Sequence, residues 1–303
     1  MFARRQSGFT LIQLLVAVGI LAILFGMLFP ALLKVRQAAD RMKSQNNLKQ
    51  IALACCNYEA AFAKFPPGND GHNFSAVVRL LPYLDGTTVF QQVDFQKDVT
   101  DEANANIRKM RIPVFLSTRD PQASVKEGIG PTNYLLCAGS KVDMNNNDGI
   151  FFQESKIGVA SITDGTSNTI MLGETLKGDG GVKAVDVKRQ HVALSKEALG
   201  GLSEDAGVQD FKSNKHIVGD RCASWMDGRF LQGTFNGTLP PNDSRPDVTC
   251  AGQGGISALR SLDQTIHVGF GDSSVRSINK KIEGTTWKAL CTRNGGEAIN
   301  PDF

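Results

Sequence analysis

The chain has 303 residues, with 41% hydrophobic and 21% charged content and a net charge of only +3. Those values are ordinary for a folded protein, and the scattered Lys and Arg residues form no basic face, which argues against nucleic acid as a partner. Glycine is abundant at 31 residues and aromatics are sparse at 7%, a balance that favours a loop-rich β or α+β body over an all-helical one. Setting aside one long N-terminal helix leaves ~240 residues, enough for one large or two small cores.

Residues 1–8 are short and polar, with Arg4 and Arg5. From Phe9 to Phe29 the chain is apolar apart from Thr10 and Gln13. A helix of that length spans about 31 Å at ~1.5 Å per residue, enough to cross a bilayer core. An ordinary cleaved signal peptide fits less well, because the apolar run is long, no A-x-A site follows, and helical periodicity continues beyond it. Arg4 and Arg5 favour a cytoplasmic leader, although Lys34 and Arg36 weaken the charge asymmetry. Val35, Ala38, Ala39, Met42, Leu48, Ile51, Ala52, Cys55 and Phe62 recur at three- and four-residue spacing. They predict that the helix continues to about Phe62 with its C-terminal half packed on the body, and that Pro66-Pro67-Gly68 ends it.

Phe74 to Leu84 reads as a short amphipathic helix, and Thr100-Asp101-Glu102 as the start of another that runs to Met110. Strands are predicted at Val114–Ser117, Asn133–Ala138, Gly149–Phe152 and Thr169–Gly173. Asp164-Gly165-Thr166-Ser167-Asn168 is a dense turn signal. Residues 177–207 are rich in glycine and charge and are expected to form an insertion or loop. Ile266–Phe270, a turn at Gly271-Asp272-Ser273, and Val275–Ile278 predict a hairpin. Glu283–Cys291 predicts a last helix capped by Thr285 or Thr286.

The N-terminal run Arg4-Arg5-Gln6-Ser7-Gly8-Phe9-Thr10-Leu11-Ile12-Gln13-Leu14-Leu15 resembles the signal of type IV pilins and type II secretion pseudopilins. The resemblance implies cleavage by a prepilin peptidase between Gly8 and Phe9 and N-methylation of Phe9, and it matches Pro30 to the helix-bending proline of mature pilins. The family usually carries Glu where this chain has Gln13. That Glu is thought to neutralise the terminal amine of a neighbouring subunit, and Gln accepts a hydrogen bond but neutralises no charge. Two readings of Gln13 follow: a minor, initiating, tip or non-polymerising subunit, or a Gln simply tolerated at the same site.

Further segments resemble a large uncharacterised prepilin-like family named for an H-X9-DG motif in its C-terminal region. They are Leu80-Leu81-Pro82-Tyr83-Leu84, Asp164–Asn168 with Gly173-Glu174, Pro240-Pro241-Asn242, Phe270–Arg276, and Thr286-Trp287 with Gly295-Gly296-Glu297. The chain departs from that pattern, with Leu262 at the His position and Ser273 at the Gly position. It also has Phe115-Leu116-Ser117-Thr118 where the family has Phe-Leu-Cys-Pro.

Asp143, Asn145, Asn147 and Glu154 place oxygen ligands at spacings similar to a calcium loop, but Gly149 falls one place late for an EF-hand and no helices are predicted around it. A solvated Asn-rich turn is therefore favoured, and calcium is the one cofactor the sequence raises. Asp164–Asn168 is read in the same way, as a turn that satisfies its own backbone. His72, His191, His216 and His267 share no ligand spacing, and no hydrolase, phosphate-loop or dinucleotide motif occurs, so an enzyme is not expected. Export would permit disulfides. Cys222 and Cys250 flank a turn-rich stretch and are the favoured pair, although connectivity is not fixed by sequence.

These observations predict an α+β protein with a long N-terminal transmembrane helix packed on a mainly antiparallel, β-rich body. The leader occupies 1–8, the helix 9–63 and the body 64–303. The resemblance implies a single pass through a bacterial inner membrane with the body outside the cytoplasm. Its implied partners are the bilayer, a prepilin peptidase, other pilin-like subunits and an assembly platform. The expected role is a pseudopilin-like structural subunit of a secretion or fibre apparatus. The alternative is a membrane-tethered module that binds polysaccharide or another surface ligand and does not polymerise.

Overall fold

The computed structural model describes residues 10–122, 124–181, 184–297 and 299. The chain separates into two units, one up to Met42 and one from Lys43 onwards. Helix α1, Leu11–Phe62, runs through 52 residues with Pro30 inside it. From Ser44 its buried positions are Ser44, Asn47, Leu48, Ile51, Ala52, Ala54 and Cys55, the spacing of a helix laid on a core. Met42 and Phe62 share the periodicity but are 65% and 55% exposed, so the buried stripe is shorter than the apolar one.

Three short helices follow: α2 Ala76–Leu80, α3 Thr87–Phe90 and α4 Ala105–Arg108. Ser75 caps α2 by accepting a hydrogen bond from Val77 N, and Asp101 caps the 3-10 turn ahead of α4 by accepting from Ala103 N. Val77, Val78, Leu80, Leu81 and Ile107 join Leu48, Ile51 and Cys55 of α1 in one buried cluster.

The remaining elements in chain order are β1 Tyr134–Cys137, β2 Ile170–Glu174, β3 His191–Leu194, α5 Val208–Lys212, β4 Ile217–Val218, β5 Thr234–Phe235, β6 Asp247–Cys250, β7 Gly255–Ile256, β8 Thr265–Phe270, β9 Val275–Asn279 and α6 Gly284–Cys291. One sheet has the order β5-β1-β2-β8-β9 and a second β4-β3-β6-β7. Among the described residues five strand pairings are antiparallel, while β1–β5 and β3–β6 are parallel. The fold is α+β, with a parallel pair inside each otherwise antiparallel sheet.

The two-residue period of strands gives the first sheet two apolar faces. Tyr134, Leu136 and Leu172 join the α1 cluster. Leu135, Cys137, Val268 and Phe270 join Trp287 and Leu290 of α6. Gly269 makes room for Leu172 of the neighbouring strand, since a Cβ there would lie 2.7 Å from Leu172 Cδ2. In the second sheet Val192 and Val248 are register partners and pack with Leu239, Ile256 and Ala258. His191, Ala193, Asp247 and Thr249 alternate with them and share the other face.

Four local expectations change. Val114–Ser117 is not a strand, because Pro113 starts a 3-10 turn over Pro113–Phe115. Gly149–Phe152 forms no strand of its own, although Gly149 N and Phe151 N donate to Ala138 O and Cys137 O at 3.0 Å each. The 177–207 segment is not merely a loop, since it supplies β3. The cap of α6 is Glu283 rather than Thr285 or Thr286.

Replacing Ile51 by Ala opens a cavity under the first sheet and is expected to cost about 2–5 kcal/mol. Met42→Ala, on an exposed position, should change stability by less than ~0.5 kcal/mol. Denaturant unfolding of the full chain in micelles, followed by the fluorescence of buried Trp225 and Trp287, measures both.

Candidate functional site

Gly8 and Phe9, the expected processing residues, lie outside the described residues. Among the described residues the helix begins at Leu11. Thr10 N donates to Gln13 Oε1 at 3.0 Å, and Gln13 N donates to Thr10 Oγ1 at 3.3 Å. This reciprocal capping box satisfies two N–H groups that a helix start otherwise leaves open. It needs an acceptor at Gln13 and no charge, so a Gln performs it as a Glu would. The large apolar side chains from Leu11 to Leu33 are exposed in the single chain. Pro30 within this stretch has no N–H to offer the Gly26 carbonyl.

Lower on α1, polar side chains meet the body. Ser44 Oγ lies 3.2 Å from Tyr134 Oη, Asn47 Nδ2 donates to Leu116 O at 3.0 Å, and Lys49 Nζ donates to Ser273 O at 2.8 Å. Ser273 also places its hydroxyl 3.1 Å from Cys56 Sγ. Its φ of 63° is left-handed, a conformation that glycine adopts freely and that costs other residues about 1 kcal/mol. The glycine of the H-X9-DG pattern thus falls at a position with a backbone reason for it, and here contacts with α1 hold a serine there. Leu262, at the His position, is 53% exposed.

The motif segments converge on this turn. Gly271 N and Asp272 N donate to Thr169 O and Thr166 O at 3.0 and 3.1 Å. Asp164 accepts from Gly295 N and Gly296 N at 2.7 and 2.9 Å, while Asn168 Nδ2 donates back to Asp164 O. The Asp164–Asn168 turn therefore clamps the hairpin tip and the segment after α6. Ser117, at the altered Cys position, donates to Glu174 Oε1, whose other oxygen pairs with Arg119 at 2.6 Å.

A pocket of about 190 Å³ lies on the face of the second sheet that carries His191, Ala193 and Thr249. His191 and Ala193 of β3, Val218 of β4 and Thr249 of β6 contribute from the sheet, and Asp220, Arg229, Phe230 and Gln232 from the following chain. His191 Nε2 stands 3.5 Å from Asp220 Oδ1. Neither His191 Nδ1 nor Asp220 Oδ1 has a hydrogen-bond partner among the described residues. Gln232 is held by its own loop, accepting from Ala223 N and donating to Asp220 O. Arg229 grips Asp227 through Nε and Nη2. Burial, reinforced by Arg221, lowers His191 to about 3, so its ring is neutral. Burial raises Asp220 above the ordinary carboxylate value.

Behind this wall Arg221 and Arg260 are wholly buried and share the carboxylate of Asp247, the register partner of His191. Burial lowers both guanidiniums to about 10, still protonated at neutral pH. Arg221 Nη2 also donates to Thr175 Oγ1 and Ala258 O at 2.8 Å.

The profile of a family described as protein of unknown function, DUF1559, matches residues 34–285. The chain belongs to that family. The prokaryotic N-terminal methylation motif matches residues 3–29, so this DUF1559 member is a type IV pilin-like protein of the prepilin-processed kind. With one N-terminal helix long and apolar enough to cross a membrane, it is membrane-anchored, with its body outside. Neither the curated proteins nor the solved structures contain a match.

The other sequence candidates of this DUF1559 protein fall apart from the pocket. Asp143 Oδ1 accepts from Asn145 N and Nδ2, and buried Asn147 donates to Lys141 O and Asp143 O. Their side chains are engaged in the turn itself, which is less solvated at Asn147 than expected. Glu154 follows with a left-handed φ of 52°. Cys222 and Cys250 are free thiols rather than a disulfide. Cys222 sits in the core with Trp287, whereas Cys250 ends a strand of the second sheet. Cys137 and Cys291 are closer neighbours, with Cys137 Sγ donating to Cys291 O at 3.7 Å. Spacing gave no sign of the pairing of His191 with Asp220, because it depends on two strands too short to show a period.

Because folding lowers the pKa of His191, its contribution is complete above the unfolded value of about 6.5 and is lost progressively as the pH falls towards 3. Stability should therefore decline between pH 7.5 and 5, and His191→Gln should flatten the slope; denaturant midpoints at the two pH values read this directly. Asp247→Asn leaves two buried guanidiniums without their carboxylate and should cost about 3–5 kcal/mol in the same assay.

Proposed function

We propose that the chain is a pseudopilin-like structural subunit of a secretion or fibre apparatus, anchored in a bacterial inner membrane. A prepilin peptidase cleaves it between Gly8 and Phe9 and methylates Phe9. One observation carries the proposal: the methylation motif overlaps a helix whose apolar side chains from Leu11 to Leu33 are uncovered. Such a surface is stable only under cover, supplied by lipid before assembly and by neighbouring helices after it. Ala17, Gly19, Ala22 and Gly26 suit close helix approach, and a Cβ at Gly19 or Gly26 would meet nothing within 4 Å in the lone chain. Gln13 keeps the helix cap but brings no charge to a neighbour's amine. Assembly would then rest on packing, as suits a minor or initiating subunit that engages an assembly platform.

A second reading, a tethered binding module that does not polymerise, draws on a different observation, the pocket with two unpartnered polar atoms. The two are separable. Mass spectrometry of the mature protein should find a methylated Phe9 N-terminus. An intact Met1 or a cut beyond residue 30 removes the processing route. Ala17→Cys should give disulfide-linked dimers in membranes under mild oxidation; a strictly monomeric membrane pool sinks the subunit reading and leaves the tethered module.

A further inference from the structure

The pocket on the second sheet has no counterpart in the pilin-like role, and no residue of α1 lines it. We propose that it binds one neutral sugar ring, either a free monosaccharide or the end residue of a glycan.

Three features of the site set the ligand class. The first is size: about 190 Å³ admits a single ring, below the range of about 300–1,000 Å³ typical of drug-sized ligands. The second is hydrogen-bond capacity. His191 Nδ1 and Asp220 Oδ1 are buried atoms without partners among the described residues, and a hydroxyl group both donates and accepts. Thr249, beside them, accepts from Gly252 N through Oγ1. The two side chains are neighbours, with His191 Nε2 3.5 Å from Asp220 Oδ1, so adjacent hydroxyls of one ring can address both. Phe230, Val218 and Ala193 supply apolar wall for the C–H face of a ring.

The third feature is charge. An anionic ligand would meet the carboxylate of Asp220, and a cationic one the guanidinium of Arg229 with Arg221 behind His191. His191 itself stays unprotonated in this setting, so the site already disfavours added positive charge. An uncharged ligand with several dipoles uses both signs at once. The pocket is built from strand positions and from a loop fixed by Gln232 and by the Arg229–Asp227 pair, so it is formed before a ligand arrives.

The test uses the full chain in zwitterionic detergent micelles, which present no sugar headgroup. Glucose, galactose, mannose and N-acetylglucosamine, each also as a tetrasaccharide, are titrated by calorimetry and saturation-transfer NMR, with glucuronate and glucosamine as charged counterparts. At least one neutral sugar should bind, and more tightly than its charged counterparts. Signal from the monosaccharide marks a free sugar as sufficient, whereas signal from the tetrasaccharide alone marks a glycan end. Ala193→Phe, which fills the pocket, should weaken binding by about tenfold or more, the equivalent of ~1.4 kcal/mol. Asp220→Asn, at a half-exposed side chain, keeps the shape and should weaken it less; if Ala193→Phe does not fold by its melting curve, Asp220→Asn decides. No binding by any neutral sugar, binding that survives the variants unchanged, or tighter binding of a charged counterpart overturns the proposal. None of these outcomes bears on Phe9 processing or on cross-linking through Ala17.

Discussion

Arg221 and Arg260 are buried charges that share one buried carboxylate, Asp247, and this cluster links the second sheet to the first. A buried charge is tolerated only when paired and hydrogen-bonded, and these guanidiniums obtain their partners from separate parts of the body. Asp247 belongs to β6 of the second sheet. Thr175, which accepts from Arg221 Nη2 and Arg260 N, directly follows β2 of the first. Thr175 is in turn held by Asn133, whose side chain also meets Asp120 and Lys177. Burial works against the ionised form of Asp120, but Lys177, its backbone N–H and Arg189 outweigh it and hold the pKa below the ordinary value. Each of these groups is costly alone, and their mutual bonds link residues of the second sheet to the chain that follows β2.

Helix α1 meets two different requirements along one sequence. Up to Leu33 every large apolar side chain faces outward, so its environment must be lipid or another helix. From Ser44 the stripe narrows to Leu48, Ile51, Ala52 and Cys55, with Ser44, Asn47 and Lys49 adding bonds to Tyr134, Leu116 and Ser273. The capping box gives Gln13 a local job at the helix start, which separates helix formation from the charge pairing expected of a Glu there. Ser273 shows the same separation at the other end of the chain. Glycine suits its backbone best, yet Cys56 and Lys49 hold a serine in place.

What could be read from sequence followed from periodicity and turn chemistry. The apolar repeat of α1 shows a period, the hairpin of β8 and β9 is marked by the turn at Gly271-Asp272-Ser273, and β1 and β2 stand out as continuous apolar runs. The second sheet carries no such mark. β4 and β7 have two residues each, β3 lies in a segment dominated by glycine and charge, and the β3–β6 pairing is parallel and joins residues far apart in sequence. The pocket inherits that illegibility, because His191, Asp220 and Thr249 are neighbours only once those strands pair. The cysteines fail for a similar reason. Cys222 and Cys250 are near in sequence, but the first sheet turns one of them into the α6 core. Prediction of the last cap failed more narrowly, since Glu283 takes the backbone geometry of a cap while making no side-chain cap bond.

The joint between the sheets also sets the chemistry of the pocket. His191 and Asp247 are register partners on one face; burial keeps the imidazole neutral, and the arginine that Asp247 requires reinforces it. From there bonded neighbours lead through Arg221 and Thr175 to β2, whose Leu172 packs in the same cluster as α1. This is contiguity and not evidence of signalling. Its physical content is shared burial, with Arg221 donating to Thr175 and Leu172 packed among α1 side chains. The pocket is lined by the second sheet and the chain around it, with no residue of α1. The proposed ligand binding on the body and the packing along the helix therefore draw on different residues of one chain.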